Sequence, residues 1–130
     1  MTKKNDKLVI KIGSSLLVGE DGEPRRNWLV TLVEDIAKRH SEGTSIIIVS
    51  SGSIALGARK LGLAKGGRAN LADAQAAASV GQIALSSLWS ELLAAHDMTA
   101  AQMLITLDDM EDRKRYLNAT ATLENLLTNR

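Results

Sequence analysis

An α/β fold, a parallel sheet with right-handed helical crossovers, is what this 130-residue sequence predicts. Two observations carry that expectation. Short β-branched runs alternate with amphipathic stretches of helical length, and one of those runs, Ile46 to Val49, is apolar at every position, as a strand covered on both faces must be. No repeat, low-complexity tract or composition break marks a linker, so the chain reads as a single domain.

The elements follow in order. Leu8, Val9, Ile10 and Ile12, closed by Gly13, are too short a run for a helix and form the first strand. Gly19, Gly22 and Pro24 mark a loop, after which Asn27 is expected to cap a helix whose apolar stripe is Leu29, Leu32, Val33 and Ile36. Gly43 ends it, and Ile46 to Val49 make the second strand. Ser50-Ser51-Gly52-Ser53 turns into a short helix holding Ile54, Leu56 and Leu61, and Gly62 to Asn70 reads as a basic, glycine-bearing mobile loop. Asn70 and Asp73 resemble a capping box for a long helix with Leu85, Leu88, Trp89, Leu92 and Leu93 on one face, reaching about His96. The first half of that helix, Ala72 to Gly81, has so little side-chain bulk that another backbone or a small ligand could approach closely. Thr99 to Ile105 is expected as a third strand and Tyr116 to Leu127 as the last helix.

Composition narrows the function classes. With 45% apolar and 24% charged residues the chain has the balance of a globular protein, and with no Phe its core must be aliphatic. A net charge of +1, from scattered cations, disfavours nucleic acid as a partner. The absence of cysteine fits a reducing compartment, and the cytoplasm is the expected location. Nothing near the first strand is long enough for a signal or a membrane span, so no membrane partner is expected.

Three places could carry chemistry. Lys11-Ile12-Gly13-Ser14-Ser15 sets an ammonium at a strand end before a small-residue turn rich in amides, which suits phosphate; the plainer reading is an edge lysine reaching into water. It is not a Walker A loop, in which the lysine follows the glycines. The second, Ser50-Ser51-Gly52-Ser53, stands at the carboxyl end of a buried strand and at a helix start, where a carboxylate or phosphate is favoured, although its serines could serve as caps alone. A serine-hydrolase elbow does not fit it, because neither His40 nor His96 is placed to serve. The third, the acidic-then-basic run Asp108 to Ala119, could hold Mg²⁺ but fits better as a helix start balancing the macrodipole. Ser79, Gly81 and Gln82 could line a pocket or merely pack.

Taken together, these residues resemble the amino acid kinase family and, within it, the glutamate-phosphorylating kinases. The resemblance runs through Val9-Ile10-Lys11-Ile12-Gly13-Ser14-Ser15, Ile48-Val49-Ser50-Ser51-Gly52-Ser53-Ile54, Ala77-Ala78-Ser79-Val80-Gly81-Gln82 and Gln102-Met103-Leu104. Its most diagnostic part is Asp109-Met110-Glu111-Asp112-Arg113 with Arg115-Tyr116-Leu117-Asn118-Ala119. It implies the N-terminal half of a kinase fold with helices on both faces of the sheet, and ATP- and Mg²⁺-dependent phosphorylation of L-glutamate to glutamyl 5-phosphate, the first step of proline biosynthesis, with proline as feedback inhibitor. Lys11 would be catalytic, neutralising the transferring phosphates; Gly13, Ser14 and Ser15 would offer the phosphate loop; Ser51 and Gly52 would bind glutamate; no residue is assigned to a metal. Ser53 stands where the family often has Ala. The substrate carboxylate is itself the nucleophile, so no strong base is needed.

The same resemblance implies an Asn/Glu/Asn/Asp motif, nucleotide-binding loops, a further Lys and commonly an RNA-modification-type module beyond these 130 residues. The chain alone is therefore expected to be inactive and to fold poorly for want of strand partners, the intact protein being a homo-oligomer. Two other readings stand beside the kinase: a non-catalytic amino-acid or anion-binding α/β module, and a truncated, inactive fragment.

Overall fold

A computed structural model of the chain describes residues 6–104 and 111–129. Strand β1 (Lys7–Ile12) and strand β2 (Ser45–Ser50) lie side by side in parallel, in register from Lys7 with Ser45 to Ile12 with Ser50. Between them come a one-turn helix α1 (Ser14–Leu17) and helix α2 (Arg26–Ser41); after them follow α3 (Ser53–Leu61), a 3₁₀ turn (Ala64–Gly67), α4 (Leu71–Ala94) and α5 (Arg113–Thr128). The β1–α2–β2 order is the expected crossover, and the fold is α/β with a parallel sheet.

Alternation decides which side of the sheet is covered. Along β1, Leu8, Ile10 and Ile12 turn inward while Lys7, Val9 and Lys11 are exposed, because successive side chains leave a strand on opposite faces. The inward side meets the core of Leu17, Leu29, Val33, Ile36, Leu56, Leu85, Leu88 and Trp89. On the other side Val9 and Val49 stay open to solvent, at 60% and 50% exposure, so β2 is half-buried rather than sealed on both faces.

Helix α2 buries the expected stripe of Leu29, Val33 and Ile36 but starts earlier than expected. Asn27 is already within its first turn, and Arg25 holds the capping position with no side-chain cap. The entry is fixed upstream: Pro24 bridges to Val18 and the Arg25 amide donates to the Leu17 carbonyl, so the chain is helical before Asn27 is reached.

The small-residue half of α4 meets a backbone, not a ligand. A Cβ at Gly57 of α3 would fall 1.7 Å from the Ala77 carbonyl oxygen, and one at Gly81 of α4 would fall 1.6 Å from that of Ser53. The helices thus touch main chain to main chain, which only paired glycines allow. Asn70 caps the helix as expected, the Asp73 amide donating to Asn70 Oδ1 at 2.8 Å and Asn70 Nδ2 donating back to the Asp73 carboxylate at 3.3 Å. The helix stops at Ala94, and His96 lies in the turn beyond it, its amide donating to the Leu93 carbonyl.

Two further expectations need correction. The 62–70 segment is not simply a loop: a 3₁₀ turn forms at Ala64–Gly67, with Lys65, Gly66 and Gly67 all at positive φ. Residues 99–104 form no strand, since extended chain becomes one only where a neighbour takes up its backbone hydrogen bonds, and no such partner stands among the described residues; Ile105 lies outside them. Helix α5 begins three residues before Tyr116, capped by Asp112, whose carboxylate accepts from the Arg115 amide. No residue of α5 is buried. Among the described residues no helix is long and apolar enough to cross a membrane.

Candidate functional site

Both serine-bearing turns leave the carboxyl ends of adjacent parallel strands, the place where open α/β sheets receive ligands. The Ser51 amide donates to the Ile12 carbonyl at 3.0 Å and locks the second turn to the first. Between them opens a cleft of about 300 Å³ lined by Ser14, Ser51, Gly52, Ser53, Ile54 and Arg68.

The second turn is shaped by what packs behind it. Gly52 has φ of +114°, and a Cβ there would lie 2.5 Å from Leu17 Cδ2, a side chain with no exposure at all. Glycine is therefore the residue this bend admits. On the far side, buried Trp89 donates its indole N–H to Ser50 Oγ at 3.1 Å, and Ser50 Oγ donates to the Ser51 carbonyl. The turn is thereby hung from α4, with the indole's one polar group satisfied.

With the Ser51 amide already engaged, the donors left for a ligand are the Ser51 and Ser14 hydroxyls and the first amides of α3, which have no acceptor within the helix. Arg68 adds the only charge among the described residues of the lining. An anion is the complement of hydroxyls, helix amides and a guanidinium.

Lys11, Gly13, Ser14, Ser15, Ser51 and Gly52 are the residues singled out from sequence, and they are not all gathered. Ser14, Ser51 and Gly52 line the cleft together. Lys11 stands beside it on the exposed face of β1, paired in register with Val49, and takes part in no ion pair among the described residues. Ser15 is exposed on α1, and Gly13 caps that helix with φ of −73°, so the expected nest of amides is instead the opening of a helical turn. Arg68 was missed because its segment reads only as a basic loop.

Other candidates recede. Ser79 Oγ donates back to the Gln75 carbonyl in its own helix, and Gly81 is packed against α3, so neither faces the cleft; Gln82 is not in its lining. Of the acidic run, Asp108, Asp109 and Met110 lie outside the described residues, while Asp112 is a helix cap. Among the described residues no cluster of three or more His, Asp or Glu could hold a metal ion. A larger hollow of about 400 Å³, walled by Pro24, Arg25, Arg26, Asn27 and Trp28, is a shallow feature of one helix start and contains neither serine turn.

Against this geometry, residues 6–130 match the model of the amino acid kinase family. The chain belongs to that family. It is 69% identical over 121 residues to a glutamate 5-kinase of Novosphingobium aromaticivorans, a stretch covering 93% of the chain and 32% of that relative. It is 63% identical to a glutamate 5-kinase of Zymomonas mobilis, over 94% of the chain and 31% of the relative, and 62% identical to one of Sphingopyxis alaskensis, over 94% and 33%. The amino acid kinase segment thus spans about a third of the length of the curated relatives it matches.

Proposed function

We propose that this segment forms the acceptor pocket and phosphate-facing turn of an ATP-dependent L-glutamate 5-kinase. The observation that carries the reading is the cleft itself: two serine turns at the ends of parallel strands, the second tied by its Ser51 amide to the Ile12 carbonyl at the end of β1, with helix amides and one guanidinium to offer an anion. The kinases named above support the choice of glutamate and hence of ATP as donor.

In this reading Ser51 and Gly52 hold L-glutamate, and Gly13, Ser14 and Ser15 face the phosphates of ATP. One oxygen of the side-chain carboxylate attacks the γ-phosphorus, an O–P bond forms, and the bond to the ADP oxygen breaks; no proton is removed from the nucleophile. Lys11 brings its ammonium over the end of β1 to the transferring group, as a long-stemmed lysine on an exposed strand position is able to do. Mg²⁺ would arrive with the nucleotide and supply charge neutralisation on its phosphates; among the described residues no group of three or more His, Asp or Glu is placed to hold it. Entry into proline biosynthesis, inhibition by proline, assembly as a homo-oligomer and a cytoplasmic setting come with the family resemblance, and the described geometry bears on none of them.

A chimera joining these 130 residues to the remaining two thirds of the Novosphingobium relative tests the proposal. It should phosphorylate L-glutamate with ATP. Ser51→Ala should raise KM for glutamate by about tenfold, the scale of one lost hydrogen bond to a charged group, and Lys11→Ala should act mainly on kcat. A folded chimera without glutamate phosphorylation would refute the kinase reading and leave the non-catalytic binding module. The 130 residues alone should show no turnover, because the described cleft has volume for an amino acid but lies at the lower limit of ligand pockets, short of a nucleotide as well.

A further inference from the structure

We propose that Arg68 is a specificity-determining residue of the acceptor pocket, pairing its guanidinium with the α-carboxylate of the dicarboxylate substrate. The inference rests on the glutamate reading above and adds the group that selects a second carboxylate.

Three observations lead there. First, among the described residues Arg68 is the only charged one lining the cleft, and it is in no ion pair there. Second, its backbone is fixed. Gly67 is buried in the crevice between α3 and α4, where a Cβ would come 3.0 Å from Ala58 Cβ, 3.1 Å from Ala77 Cβ and 3.5 Å from Ile54 Cγ2. The Arg68 amide donates to the Lys65 carbonyl, and two residues later Asn70 caps α4. The guanidinium therefore springs from an anchored bend, not from the tip of a loose loop.

Third, the two ends of the cleft differ chemically. Ser14 belongs to the first serine turn, whereas Arg68 follows Gly67, which sits in the crevice between α3 and α4. A dicarboxylate laid along the cleft presents its reacting carboxylate to the serine turns and its other carboxylate to the guanidinium, whose planar fork matches it. Among the described residues the lining offers a carboxylate its hydroxyls and one guanidinium.

The test is a ¹⁵N chemical-shift titration of the chimera with the Novosphingobium relative's remaining two thirds, using L-glutamate, glutarate, which lacks the amine, and 4-aminobutyrate, which lacks the α-carboxylate. L-Glutamate and glutarate should shift Ser51, Gly52 and Gly67 with similar affinity, and 4-aminobutyrate should bind more weakly. Arg68→Ala should weaken the two dicarboxylates by roughly tenfold or more, as expected for loss of a charge-assisted pair, while leaving 4-aminobutyrate unchanged. Arg68→Lys should recover part of the loss. Unchanged glutamate affinity in Arg68→Ala would overturn the inference and spare the kinase reading, as would a loss confined to inorganic phosphate. Absence of any glutamate-induced shift in the folded chimera that carries Arg68 would overturn both. Amide spectra of each variant report whether it is folded.

Discussion

Gly52 and Gly13 stand at corresponding places in the two turns, yet their surroundings make opposite demands. At Gly52 a methyl group would meet Leu17 at 2.5 Å while the backbone sits at φ +114°, so Gly52→Ala should destabilise the chain by about 2 kcal/mol, read by chemical denaturation. At Gly13 the backbone is extended and nothing lies within 4 Å, so Gly13→Ala should change stability by less than about 0.5 kcal/mol. Equal costs would mean that the packing of Leu17 does not shape the second turn. Trp89→Phe keeps most of the buried ring but deletes the bond to Ser50 Oγ, and should cost about 1 kcal/mol in the same measurement. At this scale the sequence showed the glycines and serines plainly. It did not show which glycine was crowded, since that depends on Leu17 and Val18 arriving from another part of the chain.

Between elements, α3 and α4 cross with their main chains in contact. Carbonyl oxygens of each helix occupy the space where the partner glycine's Cβ would be, so a single methyl must push the helices apart along their whole contact. Gly57→Ala or Gly81→Ala should therefore cost about 3 kcal/mol or more and lower the melting temperature by more than about 10 °C. A melting temperature within a degree or two of the parent would contradict the crossing. Because the crossing also seats Gly67, it holds Arg68 at the cleft. The alanine-rich stretch announced a close approach from its composition, and α4's own Asn70 cap was equally readable. What approached was not readable, because a backbone and a small ligand ask the same thing of side-chain size.

For the whole molecule, burial is distributed unevenly. Core residues come from β1, α1, α2, α3 and α4, whereas α5 buries none of its residues and reaches the sheet through an exposed ion pair between Lys7 and Glu124. Exposed pairs of this kind contribute little, typically 0–1 kcal/mol. Amides of α5 should therefore exchange with solvent nearly as fast as in an unfolded chain, while those of Leu29, Val33 and Leu88 exchange only on global opening. Equal protection in α5 and α2 would show that α5 packs far more firmly than its exposure indicates.

By itself the sequence determined the α/β class, both strands, the order of helices and the two serine turns, because each is written in local periodicity and in glycine and serine at strand ends. Only the tertiary structure decided that Asn27 is not the cap of α2, that residues 99–104 are not a strand, that Lys11 faces outward beside the cleft, and that Arg68 lines it. Those outcomes turn on contacts between residues far apart in the chain. Pro24 bridges back to Val18, an extended segment needs a neighbour's hydrogen bonds, and Gly67 inserts between two helices; no local pattern encodes such distances.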